Sequence, residues 1–265
     1  MNTVTIYQEL PGDSDSDWPL LVRTYLSTSY LTSAALLAKR AYTIQIDPAV
    51  QTRGFGMVER DEYQACASAA IIMSALGVEA FVNELFADCK AAGANNLFGL
   101  SDSQAGKLAL VWGQRQPRRQ RGRQSDDFQS QSPLVKYNRV LSELCLPRLD
   151  FRTEPVKAME TLIRLRNTLA HYKLAIRTVG GRGEQRAQTD LEKQLQKYFP
   201  DHDRTDHNPA TGLNNAYIPD RVIGHAVAEW SVRTAVAFLE HFRRLLSVTP
   251  QPSHRWPTQV MLMTR

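Results

Sequence analysis

The chain is poor in cysteine: of its 265 residues only Cys66, Cys89 and Cys145 are thiols, an odd number set far apart in apolar sequence. That excludes a disulfide framework and matches no zinc spacing, so all three are expected to be reduced and buried. No basic stretch followed by an apolar run opens the sequence, so no secretory signal is expected and the cytoplasm is the expected location. The most apolar stretch, residues 65–82, is interrupted by Ser68, Ser74, Gly77 and Glu79. A spanning helix needs about 20 predominantly apolar residues, so no membrane partner is expected. There is no glycine-rich phosphate loop, nucleophile elbow, paired-carboxylate signature or internal repeat. The run Asp201-His202-Asp203-Arg204-Thr205-Asp206-His207 is rich in ligand types, but its spacing fits no metal site. Neither a metal nor another cofactor is expected.

What is present is an ordinary globular composition, 43 % hydrophobic and 22 % charged, which excludes wholesale disorder. A chain of this length forms one large domain or two small ones and buries roughly 70 % of its unfolded surface. The net charge of +5 is 32 basic less 27 acidic residues. Five of the basic residues, Arg115, Arg118, Arg119, Arg121 and Arg123, lie within residues 114–125, which contain no acid. Without them the chain is balanced, 27 against 27. Each phosphate contact by such arginines adds salt-dependent, sequence-independent affinity, so the segment is an RNA-tether candidate. It lacks interleaved aromatics and so carries no base-stacking signal; a solvated loop is the competing reading.

The patterning predicts an all-α protein: an antiparallel helical bundle with an irregular N-terminal segment and a basic insertion at 114–132. Residues 1–60 are expected to pack on the bundle, 61–248 to form it, and 249–265 to be a tail. In the N-terminal part, Val4 and Ile6 alternate briefly, residues 28–42 suit a short Ala/Leu helix, and 44–46 suit a short strand. Asp61 with Gln64 resembles a capping box opening a long helix that ends at Gly93. Further helices are expected around 108–112, over 133–146 and from Thr153-Glu154-Pro155 through Leu174. The last two are expected over 190–199 and from an Asp220 cap to about Ser247.

Polar residues fall where the apolar pattern demands core. At 100° per residue, Glu79 and Asn83 lie within about 20° of the line through Ile72, in the middle of the expected stripe. A buried carboxylate there requires a partner, and a cation from a neighbouring helix is the expected one. A register-fixing polar pair and a role in shaping an active site are both open. In the next long helix, Asn167 and His171 are four residues apart on the face of Ile163, Ala170 and Leu174. Arg166 lies about 140° from His171, within reach of its long side chain. A core histidine is the bland reading. Arginine suits phosphate oxygens and histidine moves protons near neutrality, so the three together suit phosphoryl chemistry.

The segment Leu165-Arg166-Asn167-Thr168-Leu169-Ala170-His171 resembles the Arg-x(4–6)-His motif of HEPN domains, including a polar residue directly after the arginine. Residues 70–85, with Ser-Ala-Leu-x-x-Glu-Ala-Phe, are similar to the first core helix of many HEPN proteins. The likeness covers roughly residues 61–247. It implies a bundle pairing as a homodimer, with one motif from each protomer in a shared cleft, and a metal-independent endoribonuclease of a toxin–antitoxin or antiphage defence system. Arg166 and His171 would be catalytic, Asn167 positioning, with Glu79, Asn83 and Tyr172 in support. RNA would be the substrate, and a cognate antitoxin or defence protein a further partner. A non-cleaving HEPN module that binds RNA or a protein is the alternative. In some HEPN toxins a tyrosine two residues past the histidine is modified by the antitoxin; here Lys173 holds that place and Tyr172 precedes it.

Overall fold

The computed structural model describes residues 4–9, 20–113, 128–171, 188–200, 206–212, 215–248 and 258–265. They form an all-α helical bundle. A single antiparallel hairpin, β1 (Val4–Glu9) and β2 (Leu20–Tyr25), pairs Val4 with Tyr25 and Glu9 with Leu20. The helices are α1 (Ser27–Gln45), α2 (Pro48–Arg53), α3 (Met57–Ala92), α4 (Asp102–Gly113), α5 (Pro133–Glu143), α6 (Val156–Ala170), α7 (Asp190–Leu195), α8 (His225–Leu246) and α9 (Thr258–Met261). Two compact units share the chain: Met1–Tyr30 with Leu76–Asp150 and Leu239–Pro257, and Leu31–Ala75 with Phe151–Phe238 and Thr258–Arg265. Each draws on three stretches of sequence, and α1, α3 and α8 run from one unit into the other.

Several elements differ from expectation. The N-terminal segment is regular: a hairpin followed by a 19-residue helix that absorbs Ile44 and Gln45, which the alternating pattern assigns to a strand. Its buried positions, Leu31, Ala34, Ala35, Ala38, Ala41 and Ile44, keep helical spacing, and that 3.6-residue period outweighs the three-residue alternation. Helix α3 starts at Met57, so Asp61 lies inside it and caps nothing. Asp220 does not cap α8; it belongs to a π-helical turn, Tyr217–Arg221, and α8 starts at His225. Residues 258–265 are no loose tail: they hold α9, with Met261 and Thr264 buried.

The buried face of α3 is not the expected one. Tyr63, Ala67, Ala70, Ile71, Ser74, Ala75, Val78, Phe81, Val82, Leu85 and Phe86 are buried, whereas Ile72, Met73, Leu76 and Ala80 are half-buried. The face that packs is rotated from the line through Ile72: Ile71, Val78, Phe81, Val82 and Leu85 fill it, with Ala67, Ala70 and Ala75 between them, where small side chains let neighbouring helices approach closely. Glu79 and Asn83 consequently sit at the edge of the stripe. Helix α3 extended to Asn95 is also long and apolar enough to cross a membrane, with a mean hydropathy of 1.9 over its best 18-residue window. The interrupting polar residues do not bring it below that level. Length and composition suit a span and a core helix alike, and 56 % of the window is buried within the protein.

In the unit containing Leu76–Asp150 the core is aromatic. Phe81 stacks near-parallel to Tyr137 and meets Phe98 and Phe242 edge-on, while Phe86 stacks on Trp112 at 5.4 Å. The Tyr137 hydroxyl donates to the Val78 carbonyl at 2.7 Å, so no polar atom of the ring is lost to burial. Glu84 of α3 closes the start of α1: one carboxylate oxygen accepts from the Leu26 and Ser27 N–H groups at 2.6 and 2.8 Å, and the other from the Ser27 hydroxyl. These are among the donors a helix start cannot satisfy itself, and a carboxylate there also meets the positive end of the helix dipole. One turn on, Asp88 accepts from Arg23 at 2.6 Å and from the Leu97 N–H at 2.7 Å.

In the other unit Tyr63 plays the corresponding part. Its hydroxyl donates to Gln45 of α1 at 2.9 Å and accepts the N–H of His225, the first residue of α8, also at 2.9 Å. Burial pushes this phenol up to about 12, so it remains a neutral donor and acceptor. Gly224 explains why the contact fits: a β-carbon there would lie 2.8 Å from the Tyr63 oxygen and 3.2 Å from the Asn208 backbone. The Asn208 amide donates to Gln64 and to the Asp220 and Ile223 carbonyls, binding the loop before α8 to α3.

Tyr63→Phe is expected to lower stability by about 1–2 kcal/mol, because the His225 N–H and the Gln45 oxygen lose their partner in the interior. Glu84→Ala is expected to cost about 2 kcal/mol for the same reason at α1. Chemical denaturation followed by circular dichroism checks both; a midpoint equal to wild type for either variant contradicts the role given to that side chain.

Candidate functional site

The residues singled out by the motif lie at the C-terminal end of α6. The helix opens without a side-chain hydrogen bond from its cap residue, Pro155; instead the Glu154 carboxylate accepts from the Ala158 N–H at 3.1 Å and from the Tyr198 hydroxyl. Its first three turns are core: Val156, Ala158, Met159, Thr161, Leu162, Ile163 and Leu165 are buried. Helix α7, started by a capping box between Thr189 and Glu192, packs beside it, and Arg164 donates to Gln194 across the pair at 2.9 Å.

After Leu165 the helix leaves the core. Arg166 is half-buried with its Nε shielded from solvent, while Asn167, Ala170 and His171 are exposed. The last helical bond runs from the His171 N–H to the Asn167 carbonyl at 3.0 Å, and His171 then turns away at φ −118° and ψ 42°. The apolar pattern extends the helix through Leu174 and puts Ala170 in the core; instead α6 stops at Ala170 and its final turn is a solvent-facing polar end. His171 is therefore not a core hydrogen-bonder. Within one turn and a half the helix end presents a guanidinium, a carboxamide and an imidazole, a set able to bind a phosphate and move a proton.

Glu79 and Asn83 belong to the other unit. There a buried cation exists, as Lys136 of α5, completely buried: its Nζ donates to the Asn83 Oδ1 at 2.8 Å and to the Gln129 carbonyl at 2.6 Å. Glu79 is half-buried. Tyr172, the arginines at 115, 118, 119, 121 and 123, and residues 201–205 lie outside the described residues. Among the described residues no three His, Cys, Asp or Glu side chains are grouped as metal ligands are. Cys66 and Cys89 are buried as expected, but Cys145 is exposed. It follows the end of α5 at φ +56°, where the chain turns outward.

Sequence reasoning missed the polar cluster on α8. Glu229 is buried, accepts two bonds from Arg265 at 2.7 and 2.9 Å and one from the Thr264 hydroxyl at 3.0 Å, and pairs with Arg233 four residues on at 2.8 Å. His225 lies one turn earlier, its Nε2 3.2 Å from the Thr264 carbonyl and its ring against Tyr42. The i, i+4 spacing of His225, Glu229 and Arg233 was readable, but the partners 35 and 36 residues downstream were not. Burial by itself raises the Glu229 carboxyl; the bonds from Arg265 and Thr264 and the nearby charges outweigh it and hold the group below the ordinary glutamate value. Burial pushes His225 down and keeps it neutral, so the cluster carries one carboxylate against two guanidiniums.

A carboxyl held low in the folded state stabilises the fold above its unfolded pKa, and that contribution is lost as pH falls through the folded value. Glu229→Gln is therefore expected to be less stable than wild type at pH 7 by about 1–2 kcal/mol, with the gap narrowing below a pH of about 4.3. Melting temperatures of both proteins from pH 7 to 3 measure it; a gap that stays constant or widens on acidification contradicts the assignment.

No family model, curated protein or solved structure matches the chain.

Proposed function

We propose that this protein is an endoribonuclease of HEPN type, with Arg166 and His171 of α6 as its catalytic residues, acting as a homodimer in a toxin or antiphage defence role. The observation that carries the reading is the exposure of Asn167 and His171 at the end of α6, beside a half-buried Arg166. The chemistry needs no metal-activated water, because RNA brings its own nucleophile. His171 takes the proton of the ribose 2′-hydroxyl, the 2′-oxygen bonds to phosphorus, and the bond from phosphorus to the 5′-oxygen breaks. A second imidazole, from the partner protomer, protonates the departing 5′-oxygen. The products are a 2′,3′-cyclic phosphate and a 5′-hydroxyl end. General acid–base help of this kind contributes about 10²–10⁴-fold. Arg166 neutralises charge on the phosphoryl oxygens, and Asn167 orients the chain by its carboxamide. The arginines of 114–125 add affinity for phosphates without reading sequence.

One observation favours the second reading, a module that binds RNA or a protein without cleaving it: the Arg166 Nε is closed off from solvent, as in a guanidinium engaged in holding the fold. Activity separates the two. Wild-type protein is expected to cleave single-stranded RNA in EDTA-containing buffer and to leave 2′,3′-cyclic phosphate ends. His171→Ala and Arg166→Ala are expected to lose at least about 100-fold in rate. His171→Ala should keep its stability within about 0.5 kcal/mol, since the side chain is exposed. Light scattering at micromolar concentration is expected to give a dimer mass. Folded variants that cleave as wild type does, or a wild type that cleaves no RNA freed of all partners, transfer the protein to the binding reading; a strict monomer removes the shared-cleft mechanism.

A further inference from the structure

A groove of about 260 Å³ opens between the end of α4, the turn Phe128–Ser130 and α5. Val111 and Phe128 form its base, and Val135, an exposed apolar side chain on α5, forms one wall. Polar groups complete it: Gln131, Asn138, Ser142, Arg139 and Arg148. No carboxylate lines it. Arg139 is tied to Glu143, one turn along α5, through Nε at 2.7 Å, and both side chains keep access to solvent. Arg148 is exposed, and no ion pair or hydrogen bond engages it among the described residues. Asn138 spends its carboxamide oxygen on the Leu149 N–H at 2.9 Å, which leaves its NH₂ as a donor.

We propose that this groove is a binding subsite for single-stranded RNA, seating one nucleotide with its phosphate on Arg139 and Arg148 and its base against Val135. The inference shares with the preceding reading only its ligand class, RNA, and places a contact on the unit that does not contain the α6 motif. Size supports a piece of a polymer: pockets for whole small molecules begin at roughly 300 Å³, and this groove is smaller and open. Its chemistry supports a nucleotide over a plain anion, because an apolar wall lies next to two guanidiniums whose forked donors suit phosphate oxygens. Charge supports it too: Val111 and Phe128 both line the groove, and the sequence between them carries the five arginines at 115–123.

The test is fluorescence anisotropy with a fluorescein-labelled 12-nucleotide oligouridylate in EDTA, measured on His171→Ala protein so that the probe stays intact. Arg139→Gln/Arg148→Gln in that background is expected to weaken binding about tenfold near 0.1 M salt and to flatten the slope of log affinity against log salt by about 1.4, the loss of two phosphate contacts. Arg148→Gln alone is expected to weaken binding severalfold, whereas Arg60→Gln, which removes an exposed arginine from α3 that lines no part of the groove, is expected to have a much smaller effect. Affinity and salt slope unchanged in the double variant overturn the inference, as does a His171→Ala protein that binds no oligouridylate. A polyglutamate of equal charge competing as well as unlabelled RNA also overturns it, since the groove is then a site for acidic polypeptide. Cleavage is scored separately on wild-type protein: binding that depends on Arg139 and Arg148 with no cleavage keeps the groove and removes the nuclease, while cleavage with unchanged binding does the reverse.

Discussion

A helix that starts inside a protein must find acceptors for its first N–H groups, and here α3 supplies them in both units. Glu84 receives the Leu26 and Ser27 N–H groups at the start of α1, and Tyr63 receives that of His225 at the start of α8. Tyr63 is fully buried and Glu84 half-buried, so each is costly to the extent that it is shielded unless its partners are in place. That requirement fixes where α1 and α8 begin. The same logic accounts for Asp88, which joins β2 to the turn after α3 through Arg23 and the Leu97 N–H. Helix α3 thus contributes apolar core residues and polar acceptors within each unit.

Between these anchors the packing is set by small residues. Alanines on the inward faces of α1 and α3 let helices approach, and the Arg40–Glu62 pair and the Tyr63–Gln45 bond flank that approach in one unit. The other unit fills its interior with stacked and edge-on rings around Phe81 and Tyr137 and buries one cation, Lys136, against Asn83 and a carbonyl. Burying an ammonium is tolerable only where acceptors surround it, and the Asn83 Oδ1 and the Gln129 carbonyl are two of them. The candidate chemistry at α6 has the opposite character. The helix is core for three turns and then emerges, which leaves the polar end of the motif available to solvent and to another molecule.

Elements with long helical periods were legible in the sequence. The end of α3 near Gly93, the position of α5 and the start of α6 follow from spacing and from Gly and Pro punctuation, whereas α3 begins four residues before Asp61 and α4 six residues before the expected 108–112. The proximity of Arg166, Asn167 and His171 was legible for the same reason, since it is a property of one helix. The hairpin was not, because pairing of β1 with β2 depends on a partner strand ten residues away and local alternation is short. The α3 face was misplaced because the helix is apolar on most sides, so Ile72 and Met73 compete with Ile71, Val78 and Val82, and only the neighbouring elements select among them. Tyr63, Glu84 and Glu229 carried no signal, because their partners lie 162, 57 and 36 residues distant in sequence.

The sequence by itself determined the all-α class, the concentration of positive charge at 114–125 and the set of groups at the end of α6. Periodicity, composition and spacing are local quantities, and each of these features is local. Only the tertiary structure decided which of those groups meet water. It placed His171 and Asn167 outside, moved Glu79 and Asn83 to the edge of the stripe, set Lys136 against the Asn83 Oδ1, and put Arg139 and Arg148 on one groove beside Val135. Burial is settled by what packs from elsewhere in the chain: Leu165 is the last fully buried residue of α6, five residues before the helix ends at Ala170.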